Sequence, residues 1–242
     1  MHPGVLPRRR LRARVLPGFV TSACLFLLPV EVIMNVDNIH WIGHASFRIE
    51  DGKSQIYIDP WKLPAGSPKA SVVLITHGHS DHYSPEDIAK IEQPGTAFVA
   101  PADVAAKLKG KTVLIASPGH SYQAGGLTVE AVPAYNRNKA FHPRSNNWLG
   151  YIVTLSTGMR VYHSGDSDAI PEMQNLKVDV ALMPCGGTYT MTPDEMAAAA
   201  NGFKPKVLIP MHWGDIVGSK ADAEAVRKAF AGTTVIKAPE RQ

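Results

Sequence analysis

Cysteine is scarce in this 242-residue chain: Cys24 and Cys185 alone cannot build a disulfide framework or a four-thiolate zinc ribbon. Long apolar runs are lacking too. The most apolar stretch, 15–30, is broken by Pro17, Gly18 and Pro29, too short and too interrupted for a spanning helix, so no stable membrane insertion is expected. An excess of one charge is also missing from most of the chain. Of its 25 basic and 21 acidic residues, five arginines (Arg8, Arg9, Arg10, Arg12, Arg14) and one acid, Glu31, fall within 1–33, so the two signs balance at 20 each from Met34 onward. Nucleic-acid binding needs a basic face, and no nucleic-acid partner is expected of this body. There is no repeat of short fixed period and no low-complexity linker. With 45% hydrophobic residues over this length, one domain with its own core is expected.

Residues 1–33 read apart from the rest. A basic run followed by an apolar one is the order of a secretory signal, but no Ala-x-Ala site follows it. Three readings stand: sequence upstream of a true start at Met34, a targeting segment, or a structured extension of the body, 34–242. A cytoplasmic protein is expected, with export as the alternative if the segment is a signal. A homo-oligomer is left open.

From Ile39 short β-type runs alternate with helical segments. Strands are expected over 39–50, 55–59, 72–76, 97–100, 112–116, 127–133, 149–155, 159–163, 180–184, 207–210 and 233–237, each rich in Val, Ile, Leu or Tyr and bounded by Gly, Pro, Asp or Ser. Helices are expected over 85–92, 102–108, 170–176, 193–202 and 220–231. Two of these have marked starts. Ser84-Pro85-Glu86-Asp87 and Thr192-Pro193-Asp194-Glu195 each place a cap residue before proline and first-turn acids, and the second completes a capping box. Hairpin-like order early and strand–helix alternation later point to two sheets with helices outside.

The chemistry concentrates in one place. A fully apolar strand, Val72-Val73-Leu74-Ile75, runs through Thr76 into His77, His79, Asp81 and His82, four metal-capable side chains within six residues, and a capped helix follows. Burying imidazoles and a carboxylate together costs several kcal/mol unless something compensates them. A divalent metal does so, and glycine at 78 lets the backbone turn tightly enough for neighbouring side chains to converge.

His-x-His-x-Asp-His resembles the signature of the metallo-β-lactamase superfamily, and further motifs follow in that family's order. Ile56-Tyr57-Ile58-Asp59-Pro60 resembles its upstream strand with a site-orienting aspartate. Tyr162-His163-Ser164-Gly165-Asp166 resembles the segment whose aspartate bridges two metals, and Val207-Leu208-Ile209-Pro210-Met211-His212 the strand ending in the final histidine. The resemblance implies an α/β fold, an αββα sandwich of two mixed β-sheets flanked by helices. It implies divalent metal, two zinc ions with manganese or iron as alternatives. His77 and His79 would take one metal and Asp81 and His82 the other, Asp166 would bridge them, and His212 would complete the set. It also implies a metal-activated water acting on a small-molecule substrate, with Asp81, Asp166 and His44 as catalytic candidates. His163 and Tyr189 are further candidates for holding substrate or passing a proton. No serine triad or thiol nucleophile needs to be invoked.

One position departs from the pattern. Where the family has a histidine after a strand, the run Leu127–Pro133 leads to Asn136, and an amide is a poor zinc ligand. His142, six residues on, is the candidate replacement. If His142 is recruited, Asn136→Ala is expected to change little. His120 reads as a surface turn residue. Cys185 reads as a core thiol, with a place beside the site as the alternative. Gly186-Gly187 reads either as a tight turn or as a cradle for an anionic group near the helix capped by Thr192. Trp41–Phe47 and Gly186–Met191 resemble the branch that holds ascorbate-6-phosphate lactonase and N-acyl phosphatidylethanolamine phospholipase D. Three functions follow: hydrolysis of an ester, lactone or phosphoester, a non-catalytic metal store, or a nuclease like ribonuclease Z. The neutral body disfavours the last.

Overall fold

The computed structural model describes residues 34–241 together with Met1 and Gly4; Cys24 and the three readings of 1–33 lie outside the described residues. In the unit Met34–Gln242 two sheets face one another. The first has the order β1 (Ile39–Gly43), β2 (Ser46–Asp51), β3 (Ser54–Ile58), β4 (Val72–Leu74), β5 (Ala97–Ala100), β6 (Val113–Ile115). The second runs β7 (Ser121–Ala124), β8 (Leu127–Pro133), β9 (Leu149–Thr154), β10 (Arg160–His163), β11 (Val180–Pro184), β12 (Val207–Met211), β13 (Thr233–Thr234). Each begins as an antiparallel meander and ends as parallel strands.

Side-chain alternation sorts the layers. In β4 and its continuation Val72 and Leu74 point into the core between the sheets, with Ile56, Ile58, Val129, Tyr151 and Val153. Val73 and Ile75 point outward, where Ile88 and Ile91 of α1 (Pro85–Ile91), Val104 of α2 (Ala102–Ala105) and Leu108 cover them. On the second sheet α3 (Pro193–Phe203) and α4 (Lys220–Ala229) supply Met196, Ala200, Phe203, Ala223 and Val226 to the core. Caps hold as their residues dictate: Ser84 accepts from the Asp87 amide, and Thr192 and Glu195 close a capping box. This is the expected αββα sandwich.

Local differences have local causes. The run 39–50 is a hairpin of two strands, because Gly43 and His44 turn the chain at positive φ. Ser121–Ala124 forms an unexpected edge strand, held by backbone pairing to β8, with Ser121 and Gln123 exposed and Tyr122 and Ala124 turned toward the core. The segment expected to be a helix at 170–176 is a 3₁₀ turn, Pro171–Asn175. Among the described residues no helix is long and apolar enough to cross a membrane.

Leu74 has no exposed surface and stands between the sheets one turn from the histidine cluster. Leu74→Ala is expected to cost about 3 kcal/mol of unfolding free energy, measured by urea denaturation with an unchanged slope.

Candidate metal centre

The chemistry-bearing side chains project from strand ends gathered at one edge of the sandwich. His44 follows β1, Asp59 follows β3, His77 to His82 follow β4, His142 lies in the connection after β8, Asp166 follows β10 and His212 follows β12. Two glycines let the carrying loops come this close. Gly165 has φ +58°, and a Cβ there would lie 2.5 Å from the Leu149 carbonyl oxygen; one at Gly186 would overlap the His212 carbonyl oxygen. Gly186-Gly187 is thus a close-packed turn, with Gly187 N donating to Met191 O at 3.0 Å.

The donors fall into overlapping groups whose ligand-capable atoms lie within 4.8 Å of one another: His77, His79 and His142; His44, Asp81, His82 and His212; and His77, His82 and Asp166. Asp166 stands between them, with Oδ2 at 3.3 Å from His142 Nε2 and 3.0 Å from His212 Nε2, and Oδ1 at 3.4 Å from His82 Nε2. Every metal-capable residue expected from the motifs is in this cluster, His142 included.

Three histidines have their far nitrogen fixed. His82 Nδ1–H donates to Asp59 at 2.7 Å, His77 Nδ1–H to Thr76 Oγ1 at 3.0 Å, and His142 Nδ1–H to Asn136 Oδ1 at 3.0 Å. Thr76 passes its own hydroxyl proton to Asp59 at 2.6 Å and its amide proton at 2.7 Å. With the far nitrogen fixed as a donor, Nε2 of each ring is the atom that would offer its lone pair to a metal. His82 Nε2, His142 Nε2, His212 Nε2 and Asp166 Oδ1 are buried without a hydrogen-bond partner. Unpartnered buried polar atoms are costly, and four of them converging from different loops have the chemistry of a donor set for a metal ion. The residues fit divalent metal.

Asn136 does more than vacate a ligand position. Its Oδ1 also accepts from the His142 amide at 2.9 Å, its own amide donates to His142 O at 2.8 Å, and its Nδ2 donates to Asp168 Oδ1 at 3.1 Å and Tyr189 O at 3.0 Å. Lys139 and the Arg137 amide hold Asp168 from the other side, both at 2.8 Å. These hydrogen bonds argue against the expectation that Asn136→Ala changes little once His142 is recruited, because the amide clamps the loop that carries the ring.

His44 and His163 stand elsewhere than a substrate-touching role requires. His44 is fully buried behind Asp81, with Nε2–H donating to Asp81 Oδ2 at 3.0 Å and its ring against His212 at a centroid distance of 3.8 Å. It positions Asp81. His163 Nε2–H donates to Ala45 O at 2.9 Å and its Nδ1 accepts from the Gly165 amide, a brace for the loop bearing Asp166. His120 is exposed, as expected of a turn residue, and Cys185 is a buried core thiol whose burial pushes its pKa up to about 12. Sequence reasoning missed Thr76, and it missed Trp148, whose ring covers His77 and His79 at 4.9 and 5.0 Å. A Trp at a strand start gives no advance sign of that. A pocket of about 220 Å³ opens above the donors, walled by His79, Asp81, His142, Asp166 and His212 and rimmed by Phe141, Tyr189 and Ile216.

A family model described as the beta-lactamase superfamily domain matches residues 38–212. The chain is 33% identical over 218 residues to a UPF0173 metal-dependent hydrolase of Thermoplasma acidophilum, covering 84% of this chain and 95% of that one. Among solved structures, a Parabacteroides distasonis protein superposes with a TM-score of 0.74 at 35% identity, over 82% of this chain and 91% of its own. A metallo hydrolase of Ignicoccus hospitalis does so with 0.68 at 26%, over 83% and 94%. The chain belongs to the UPF0173 metal-dependent hydrolase family of the metallo-β-lactamase superfamily.

The ionisation of the cluster has a definite sign. Burial lowers the pKa of His77, His79 and His163, and brings His44 down to about 4. Burial acts the same way on His82, but Asp166 and Asp59 outweigh it and hold that pKa well above the ordinary value. For Asp166 burial acts upward, and the His212 and His82 charges overcome it, keeping the carboxyl ionised. A histidine whose folded pKa is lowered loses its stabilising contribution as pH falls below the unfolded value of about 6.5, whereas His82 contributes fully below that value and loses it as pH rises through its raised folded pKa. Four groups oppose one. Chelator-treated protein is therefore expected to lose melting temperature steadily as pH falls from about 7 to about 5, measured by thermal unfolding in matched buffers; a rising melting temperature would contradict the assignment. Asn136→Ala is expected to lower affinity for zinc about 10- to 100-fold in a chelator-competition titration, with the fold retained.

Proposed function

We propose that this protein hydrolyses a small-molecule ester, lactone or phosphoester with water activated at two divalent metals, zinc in the first instance with manganese or iron as alternatives. The observation that carries the reading is the convergence of His82 Nε2, His142 Nε2, His212 Nε2 and Asp166 Oδ1, buried and unpartnered, with His142, Asp166 and His212 lining an open pocket. His77, His79 and His142 would hold one ion, and Asp81, His82 and His212 the other, with Asp166 shared. Metal bound there supplies Lewis acidity toward a carbonyl or phosphoryl oxygen and lowers the pKa of water.

The chain's own groups do the rest. Asp59, Thr76 and Asn136 fix the rings, so little reorganisation is left for the reaction. His44 holds Asp81, whose side chain is 18% exposed at the pocket wall, where its carboxylate can accept a hydrogen bond from the attacking water and orient it. Trp148 shields His77 and His79 on one side. An accessible pocket over the donors favours catalysis over metal storage. The likeness of Trp41–Phe47 and Gly186–Met191 to the lactonase and phospholipase D branch supports carboxyl or phosphoryl esters as the bond cleaved. A cytoplasmic location belongs to this reading, with export as the alternative.

Purified protein is expected to carry divalent metal by elemental analysis and to lose hydrolysis of p-nitrophenyl acetate on chelation, with recovery when zinc or manganese is returned. His79→Ala and Asp166→Ala are each expected to lower metal content and abolish turnover. Full metal content and activity in either variant would refute the reading.

A further inference from the structure

Two of the large hydrophobic side chains left in contact with solvent stand at one place. Phe141 and Ile216, 46% and 47% exposed, flank the mouth of the pocket above the donors. Tyr189 joins them, its ring edge-on to Phe141 at a centroid distance of 4.7 Å. Leaving such groups in water forfeits about 1.5–3 kcal/mol each relative to full burial. Apolar side chains converging on polar chemistry mark the part of a site that receives a ligand's non-reacting end.

This rim is fixed to the rest of the site. Phe141 precedes His142, which Asn136 clamps, and the same amide donates to the Tyr189 carbonyl. Ile216 follows Asp215, whose carboxylate receives Lys62 Nζ at 3.0 Å and Arg241 Nη2 at 2.7 Å. Among the described residues the pocket wall contains Asp81 and Asp166, both in the donor cluster, but no lysine or arginine. Of the cations on neighbouring segments, Lys62 and Arg241 are engaged with Asp215 and Lys139 with Asp168, Arg137 lies along a separate groove with Pro171 and Gln174, and Lys107 stands beside Gly78 and the Tyr83 ring, outside the pocket lining. An anionic group at the far end of a substrate would meet the apolar side chains of Phe141, Tyr189 and Ile216, with no lysine or arginine of the described residues in the lining to pair with it.

Building on the hydrolytic reading above, we propose that the substrate is a neutral carboxylic ester or lactone whose non-reacting part is a compact aromatic or branched aliphatic group held by Phe141, Tyr189 and Ile216. At about 220 Å³ the pocket falls below the roughly 300–1,000 Å³ of sites for drug-sized ligands, which suits one ring or a short branched chain. Water oxygen forms the new bond to the carbonyl carbon, and the ester C–O bond breaks with its electron pair on the leaving oxygen. That oxygen takes one water proton to become the alcohol, and the second proton is released as the acid ionises.

Methyl phenylacetate and methyl hydrogen succinate share a scissile bond and differ at the far end. For metal-loaded full-length protein, kcat/KM is expected to be at least about tenfold higher for the phenylacetate, and Phe141→Ala and Ile216→Ala are each expected to narrow that ratio about fivefold. Saturation-transfer NMR, which does not depend on turnover, is expected to show the ring protons of phenylacetamide against the wild type and to lose them with Phe141→Ala. Both side chains are half-exposed, and unchanged melting temperatures check that the variants fold. Equal rates on the two esters, a preference for the succinate monoester, or turnover of bis(p-nitrophenyl) phosphate with neither ester cleaved would overturn the inference and leave the hydrolytic reading standing. Metal-loaded protein that neither cleaves the esters nor binds phenylacetamide would likewise overturn it. Wild type that holds no metal and cleaves nothing would overturn both.

Discussion

Asp59 is a carboxylate with no exposed surface, and three donors meet it: the Thr76 amide, the Thr76 hydroxyl and the His82 ring. An isolated buried carboxylate is costly, so its position is only tolerable with those donors in place. Its reach decides much else. Through His82 it orients one ring directly. Through Thr76, whose hydroxyl receives the His77 Nδ1–H, it orients a second ring of the other donor group. It also ties the end of β3 to the end of β4, the strand that launches the cluster. A single acid therefore sets the tautomers of two histidines and the exit direction of the loop that bears them.

The backbone carries the cost of bringing these groups together. Six non-glycine residues among those described have positive φ, and three of them are His44, Asp59 and His212. Such conformations cost on the order of 1–3 kcal/mol each and persist where surrounding contacts leave no alternative. Those contacts are visible. The His44 carbonyl receives both the His212 amide and the Trp41 indole N–H at 2.9 Å, and the Trp41 and Trp213 rings pack at 4.7 Å behind them. The apolar packing of the sandwich thus holds the strained turns that aim the donors.

How much of this the sequence discloses depends on how local each feature is. His77 to His82 were legible because they follow a fully apolar strand, whereas Asp166 and His212 stood out only through the order of motifs that the family resemblance supplies. The two-sheet architecture was legible from the apolar runs. His142 could be named only as a candidate, since a loop's path is set by particular hydrogen bonds, here those of Asn136, which leave no periodic trace. The break at Gly43 and His44 was hidden because Ala45 and Ser46 beyond it are as buried as the strand before it. The strand Ser121–Ala124 was missed because it is only four residues long and turns no more than Tyr122 and Ala124 toward the core. Phe141 and Ile216 gave no signal at all: two lone apolar residues in different loops become a surface only when the fold brings them together.

The clamp on Asn136 has a thermodynamic corollary. One short loop carries a donor of the cluster in His142 and a wall of the pocket in Phe141, and one amide secures both it and the Tyr189 backbone. Whatever steadies that loop from either side must favour occupancy of the other, and linkage makes the two effects equal in free energy. Pocket occupancy and ion retention would then rise and fall together, so drift in the loop sequence that retunes which molecules fit would also retune how firmly the protein keeps its metal.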